Sequence, residues 1–473
     1  MLGAIRLLVL FIFIFAAAST YWIQKQKGKA NTLNLFITFL PFLNAFAGLL
    51  IIFFCAVDLP YLDSWDEIEL YGTAFDWQKI GRSVGGHAGF FPRLMLFTIG
   101  NASAWNTKIF LLIQWLSTVG SAFFIFKIFQ SLVEDHSKNL SQRTLLWLAT
   151  SLALLPNNAY YYLDSRLIGH VLSSVLFLIA LFFSQKKGWQ ACLLPIVCMI
   201  SLLSSAWGVI TWIVFIPAMI LKFKIKTQRK FVLFFIICMG ISFFLYAHFF
   251  ATGYVSGSFL TLKAVFLGSL DFLILLGVFV YPYPFAVGWF GLLAIPGLFL
   301  LLAQALVTRE VIKKIGFLNW CAHPFGIALV FSILGGLLAT IARAQHYPFE
   351  SLSMKYNQMA VIFSAILLLQ LLFLCNAHVY QKIKSALVSF FMASFVIGAI
   401  YLLHRGRTHY ITAQKAVDCL KSDHPFKDYS CFKGVFSDLH LPENQNLFQK
   451  KISFLRDHKI SLFRDLRQSG ANE

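Results

Sequence analysis

Apolar runs of roughly 18 to 25 residues recur along the whole chain, and the hydrophilic gaps between them are short. Wound as helix, a run of that length crosses a hydrocarbon layer ~30 Å thick. A membrane β-barrel would instead show alternating segments of ~10 residues, a pattern this sequence lacks. At 59% hydrophobic and 12% charged residues, the chain also exceeds what a water-soluble core needs. The fold class expected is an all-α polytopic membrane protein in contact with a lipid bilayer.

The net charge of +19 raises the question of nucleic acid. Its distribution answers against it. The basic residues sit in the short gaps, as at Lys25–Lys27–Lys29, Lys138 and Arg143, Lys186–Lys187, Lys222 to Lys230, Arg309 to Lys314, and Lys382–Lys384. Lys and Arg in short loops mark the cytoplasmic side, so the excess is a topology signal and no nucleic-acid partner is expected. Spans are read at roughly 3–23, 33–57, 106–130, 144–163, 167–184, 191–206, 208–222, 231–251, 286–307, 324–341, 357–375 and 386–404, about twelve in all. The adjoining runs 191–206 and 208–222 are short and read as a tight hairpin. Alternation then puts loop 58–105, loop 342–356 and the tail 405–473 outside. The domains are a membrane unit over 1–404 and a small extracytoplasmic segment over 405–473. Segment 264–282, which contains Asp271, breaks the alternation and is expected as a re-entrant or interfacial helix on the outer side. The first run also resembles a signal peptide with "FAAAST" as a cleavage site; an uncleaved anchor satisfies the charge pattern better. Cys419 and Cys431 stand alone in the hydrophilic tail, where a disulfide suits an oxidising compartment.

Half of the 12 acidic residues that precede the tail fall in loop 58–105: Asp58, Asp63, Asp66, Glu67, Glu69 and Asp76. Trp65, Trp77, Tyr61 and Tyr71 lie among them, aromatics suited to an interface or to stacking on a sugar. Further on, 88–100 is too short to span and reads as an interfacial helix with Arg93 near its start. Loop 342–356 brings Arg343, His346, Glu350, Lys355 and Tyr356; a third outer turn brings Tyr160 to Tyr162, Asp164, Arg166 and His170. Carboxylates there can act as a general base, while Arg and Lys can hold a phosphate. Taken singly, each acid reads equally well as a solvated loop residue, and Arg343 or Lys355 as a snorkelling anchor. No Cys/His spacing resembles a zinc site. No cofactor is required, though paired acids can also take a divalent ion.

The stretches "YLDSW" (Asp63), "GGHAGFFPRL" (His87, Phe90, Phe91, Pro92, Arg93) and "AWN" (Trp105, Asn106) occur in that order, followed by "LLSSAWGVITW", "IARAQHYPFESLSMKY" and "ISFLRDHKISLF". This ordered set resembles a group of bacterial multi-pass proteins built on the plan of the GT-C membrane glycosyltransferases. The group's first loop reads roughly Y-D-S-W, then H-N-E-H-R-I-F-F-P-R-L, then W-N. The resemblance implies a GT-C-like bundle with interfacial helices on its outer face, in the bacterial inner membrane, with site and C-terminus periplasmic. It implies sugar transfer from a polyprenyl-phosphate donor to a cell-envelope glycan or lipid acceptor, with inversion. Asp63 would be the base, with Asp66 and Glu67 as rivals. Arg93, Arg343 and Lys355 would neutralise phosphate, and His87, His346, Tyr356 and Arg166 would complete the binding set. Two departures stand out: the Glu and Arg that flank the group's His are Gly86 and Ala88 here, and its S-R-Y is Met354–Lys355–Tyr356. They leave room for altered specificity or lost activity. A lipid-linked saccharide flippase, or an acyl- or phospho-group transferase, are the competing expectations.

Overall fold

The computed structural model describes residues 32–59, 74–81, 89–154 (except 104 and 137–139), 162–163, 168–222, 229–250, 261–278, 290–344, 357–374, 378–422 and, with short gaps, 426–457. These are helical throughout, with one isolated bridge between Lys433 and Phe436 and no strand among them. In chain order the helices are α1 Thr32–Cys55, α2 Trp77–Gly81, α3 Phe90–Ala102, α4 Thr107–His136, α5 Leu140–Leu152, α6 Ile168–Ser184, α7 Leu193–Ser204, α8 Trp207–Lys222, α9 Arg229–Phe250, α10 Leu262–Val278, α11 Phe290–Ile315, α12 Phe317–Ala322, α13 Pro324–Ala344, α14 Asn357–Phe373, α15 His378–Leu420 and α16 Pro442–Asp457.

Six of the described helices contain stretches long and apolar enough to cross a membrane: Phe36–Cys55, Thr107–Gln130, Lys230–His248, Ala294–Ile315, Pro324–Ala342 and Ala386–Leu420. The chain is an all-α, multi-pass membrane protein on that ground. Pro41, Pro217 and Pro296 sit inside α1, α8 and α11, a use of proline that neighbouring helices make tolerable. The pair α7 and α8 turns at Ser205–Ala206, where Ser205 Oγ accepts the N–H of Trp207 and the hydroxyls of Ser201 and Thr211 meet at 3.3 Å. The expected tight hairpin is therefore present.

At the centre stands α14, buried on every side from Asn357 to Leu372. A helix apolar all round belongs in a core, and α5, α11, α13 and α4 enclose it. Its one deep polar tie is to α11: Gln370 Oε1 accepts from Gln304 Nε2 at 2.6 Å and from the Thr308 hydroxyl at 3.0 Å.

Helix α10 covers most of segment 264–282, expected as a re-entrant or interfacial helix. It packs along both α11 and α13, with Phe272, Ile274, Leu275 and Leu276 buried. Gly268 faces Ile341 and Gly336 faces the Phe272 ring, with no room for a Cβ at either glycine. Small residues at such points let helix backbones approach in a membrane. The order of these two contacts makes α10 antiparallel to α13.

Helix α15 is 43 residues long and passes 404/405 without a break. The expected domain boundary there marks the end of an apolar run, not the end of a helix. Beyond it, Ala416, Val417 and Leu420 join Phe432, Val435, Phe448, Ile452 and Leu455 in a small core. A disulfide between Cys419 and Cys431 staples that core. The same core takes in Leu59, Ile80, Leu96, Phe97, Trp105 and Phe110. The C-terminal segment and the described parts of loop 58–105 thus pack together, a cap on one end of the bundle.

Candidate functional site at the capped end

The cap is built outward from α4. Asp58, just past the end of α1, accepts the N–H of Thr107 at 2.8 Å and its hydroxyl at 2.9 Å. Asn106 Oδ1 accepts the N–H of Lys108 at 3.0 Å. Together they supply acceptors to the open amides that begin α4. One of the six loop acids is therefore a helix cap, and it pins the two ends of loop 58–105 together.

Helix α3 occupies the place expected for an interfacial segment. It starts at Gly89, whose carbonyl accepts the N–H of Arg93 at 2.8 Å, and its Pro92 lies in the first turn, where a missing N–H costs nothing. It ends where Trp105 takes a left-handed φ of 56° and returns its N–H to the Gly100 carbonyl at 2.7 Å. The indole lies on Gly100 so closely that a Cβ has no place there, and its Nε1–H donates to Asn101. The "AWN" stretch is thus structural: Trp105 ends α3 and Asn106 starts α4.

Helix α3 packs against the first turn of α6 and the last turn of α7. Pro92 rests on Gly169 beside the Ser204 carbonyl, Phe90 and Phe91 pack with Leu203, and the His170 ring is 5.2 Å from that of Trp207. Arg93 is 2% exposed in this arrangement. Sequence reading put it near the start of an interfacial helix; the structure shows it buried. Trp77 stacks on Phe90 with centroids 5.9 Å apart and nearly parallel rings, and remains 57% exposed. It is an exposed aromatic platform on Phe90, three residues before Arg93.

A second polar level lies inside the bundle. Gly335 of α13 receives Met359 and Gly336 receives Phe272. Asp271 and Gln358, each one residue before those contacts, therefore share a level beside α13. Asp271 is 1% exposed, and Asn357 and Gln358 are equally buried. The Nδ2 and Oδ1 of Asn357 and the Nε2 of Gln358 have no hydrogen-bond partner. An unmet buried amide group costs about 1–3 kcal/mol, so the two side chains make a site primed for polar contact. Sequence reading passed over them as the start of an apolar helix. The available signal was an Asn-Gln pair opening a run otherwise free of amides for several turns.

Of the sequence-derived site residues, Arg93 is placed as above and Arg343 falls in the last turn of α13. Asp63, Asp66, Glu67, His87, Arg166, His346, Lys355 and Tyr356 lie outside the described residues. Among the described residues no cluster of three or more His, Cys, Asp or Glu could hold a metal ion.

No family model, curated protein or solved structure matches the chain. What it does rests on its own residues.

Proposed function

We propose that the protein is a GT-C-type glycosyltransferase of about twelve spans in the bacterial inner membrane, working on the periplasmic face. It moves a sugar from a polyprenyl-phosphate donor to a cell-envelope glycan or lipid acceptor. The observation that carries this reading is Arg93, buried on α3 where that helix packs against α6 and α7. A buried arginine on the same helix as Phe90, on which the exposed Trp77 indole stacks, suits a ligand that joins a phosphate to a sugar. The disulfide in the cap supports the periplasmic assignment, because such bonds persist in oxidising compartments.

In this mechanism Arg93, Arg343 and Lys355 neutralise the donor phosphate and stabilise the charge that develops on it as the glycosidic bond breaks. His87, Arg166, His346 and Tyr356 complete the binding set. Asp63, with Asp66 or Glu67 as the alternative, accepts the proton of the acceptor hydroxyl. That oxygen attacks the anomeric carbon as the lipid phosphate leaves from the opposite face, which inverts the configuration. No cofactor takes part.

A second reading has one specific observation in its favour. Asp271 lies buried at the middle of α10, level with the partnerless amides of Asn357 and Gln358, and ionisable groups deep in a membrane bundle are typical of transport pathways. A flippase for a lipid-linked saccharide would use that level. Mass spectrometry of envelope glycans from a deletion strain separates the two. Loss of one hexose with the lipid carrier turning over supports transfer. Precursor retained on the inner leaflet supports flipping and overturns transfer.

A further inference from the structure

At the end of the bundle opposite Arg93, a cavity of about 460 Å³ opens between the last turns of α6 and α8 and the corner where α12 meets α13. Its polar wall has a defined hydrogen-bond polarity. His323 Nδ1 accepts the N–H of Phe325 at 3.3 Å, so the neutral ring carries its proton on Nε2 and offers a donor. Burial favours that neutral form, pulling the His323 pKa down to about 4. Asn319 spends its Nδ2 on the Ile315 carbonyl at 2.9 Å, and Gln185 spends its Nε2 on the Leu181 carbonyl at 3.3 Å. Both keep their side-chain oxygen as an acceptor. The lining residues include no carboxylate, and Leu221 and Leu318 form an apolar side.

The surroundings are those of a lipid–water boundary. Trp189 is 72% exposed, Phe317 60% and Leu318 65%, and exposed aromatics beside lysines mark the headgroup level. Lys186 and Lys187 directly follow Gln185 in the chain, and Lys313 and Lys314 lie one and a half turns before Asn319. The nearby acid Glu310 is engaged by Lys313 at 2.7 Å. The local field is positive, and the cavity wall offers both acceptors and donors.

We propose that this cavity seats the headgroup of an anionic phospholipid bearing free hydroxyls, of the phosphatidylglycerol type. The phosphate faces Lys186 and Lys187, the headgroup hydroxyls donate to Asn319 and Gln185 and accept from His323, and an acyl chain runs along Leu221 and Leu318. A bound lipid would tie α12 to α6 and α8 at the basic end. The site does not depend on the transferase reading.

Native mass spectrometry of the full-length protein in detergent tests it, with phosphatidylglycerol, phosphatidic acid and phosphatidylcholine of identical acyl chains. The expected result is retention of phosphatidylglycerol about tenfold above phosphatidylcholine and clearly above phosphatidic acid. Asn319→Leu and His323→Leu each reduce that preference toward the phosphatidic acid level. Asn319 is exposed, so its variant reads the site even if the His323 change disturbs folding. Equal retention of phosphatidic acid and phosphatidylglycerol, no preference over phosphatidylcholine, or an unchanged preference in Asn319→Leu each overturns the proposal.

Discussion

Asp58 and Thr107 are joined by two hydrogen bonds across 49 residues of sequence, backbone N–H and hydroxyl both donating to one carboxylate oxygen. That contact fixes both ends of loop 58–105 at the head of α4, and with them the base on which α3 and the cap are laid. Asp58→Ala removes the acceptor and leaves the Thr107 amide without its side-chain partner. The loss expected is about 1–2 kcal/mol, read as a lower Tm in detergent. Asp58→Asn keeps an acceptor oxygen and recovers most of it. Equal loss in both variants would mean that charge, not capping, is what Asp58 supplies.

The Cys419–Cys431 disulfide closes a short loop on the cap. Chain-entropy reasoning gives such a bond about 3 kcal/mol. The partners of this core, Phe432, Val435, Phe448 and Ile452, are shared with Leu96, Phe97 and Trp105 of the first loop. Reduction, or Cys431→Ser, should therefore loosen both chain segments together. Limited proteolysis is expected to cut near 420–440 and within 60–90 on the same time course. Cutting at the tail alone would show that the two segments do not form one unit.

His323 makes stability depend on pH in a defined direction. Burial lowers its pKa from 6.5 to about 4 in the folded protein, so between those values the unfolded chain binds the extra proton. Stability from this group is complete above about pH 6.5, declines as pH falls through the window, and levels off below about 4. The full swing is on the order of 1–3 kcal/mol. The Tm difference between wild type and His323→Gln should shift across that window and be flat above pH 7. A difference constant from pH 4 to pH 7 would show that His323 titrates as in the unfolded chain.

Much of the bundle was legible because hydropathy follows the chain. Residues 33–57 and 167–184 were read almost to the bounds of α1 and α6. Hydropathy failed where burial comes from protein instead of lipid. The stretch after Leu403 is polar on average, so the sequence suggested that the last helix stops there; Ala413, Ala416, Val417 and Leu420 keep a helical spacing that only the cap makes meaningful. For α10, alternation with the basic gaps gave no sign of its packing against α11 and α13. At the site, Asp58 looked like the other five acids. What sets it apart is Thr107, a partner that no local pattern reveals. Arg93 was found by motif, yet its neighbours Phe90, Phe91 and Pro92 pack on Leu203 and Gly169, far along the chain.

The central claim is that the capped end transfers a sugar from a lipid phosphate, with an acid of the first outer loop as base. Sugar transfer measured in membranes containing wild type, Asp63→Ala, Asp66→Ala, Glu67→Ala or Arg93→Ala at matched expression tests it most directly. The expected result is a fall of about 10²–10⁴-fold in one of these Asp variants or in Glu67→Ala, with a comparable loss for Arg93→Ala. Full activity in both Asp variants and in Glu67→Ala would contradict the account.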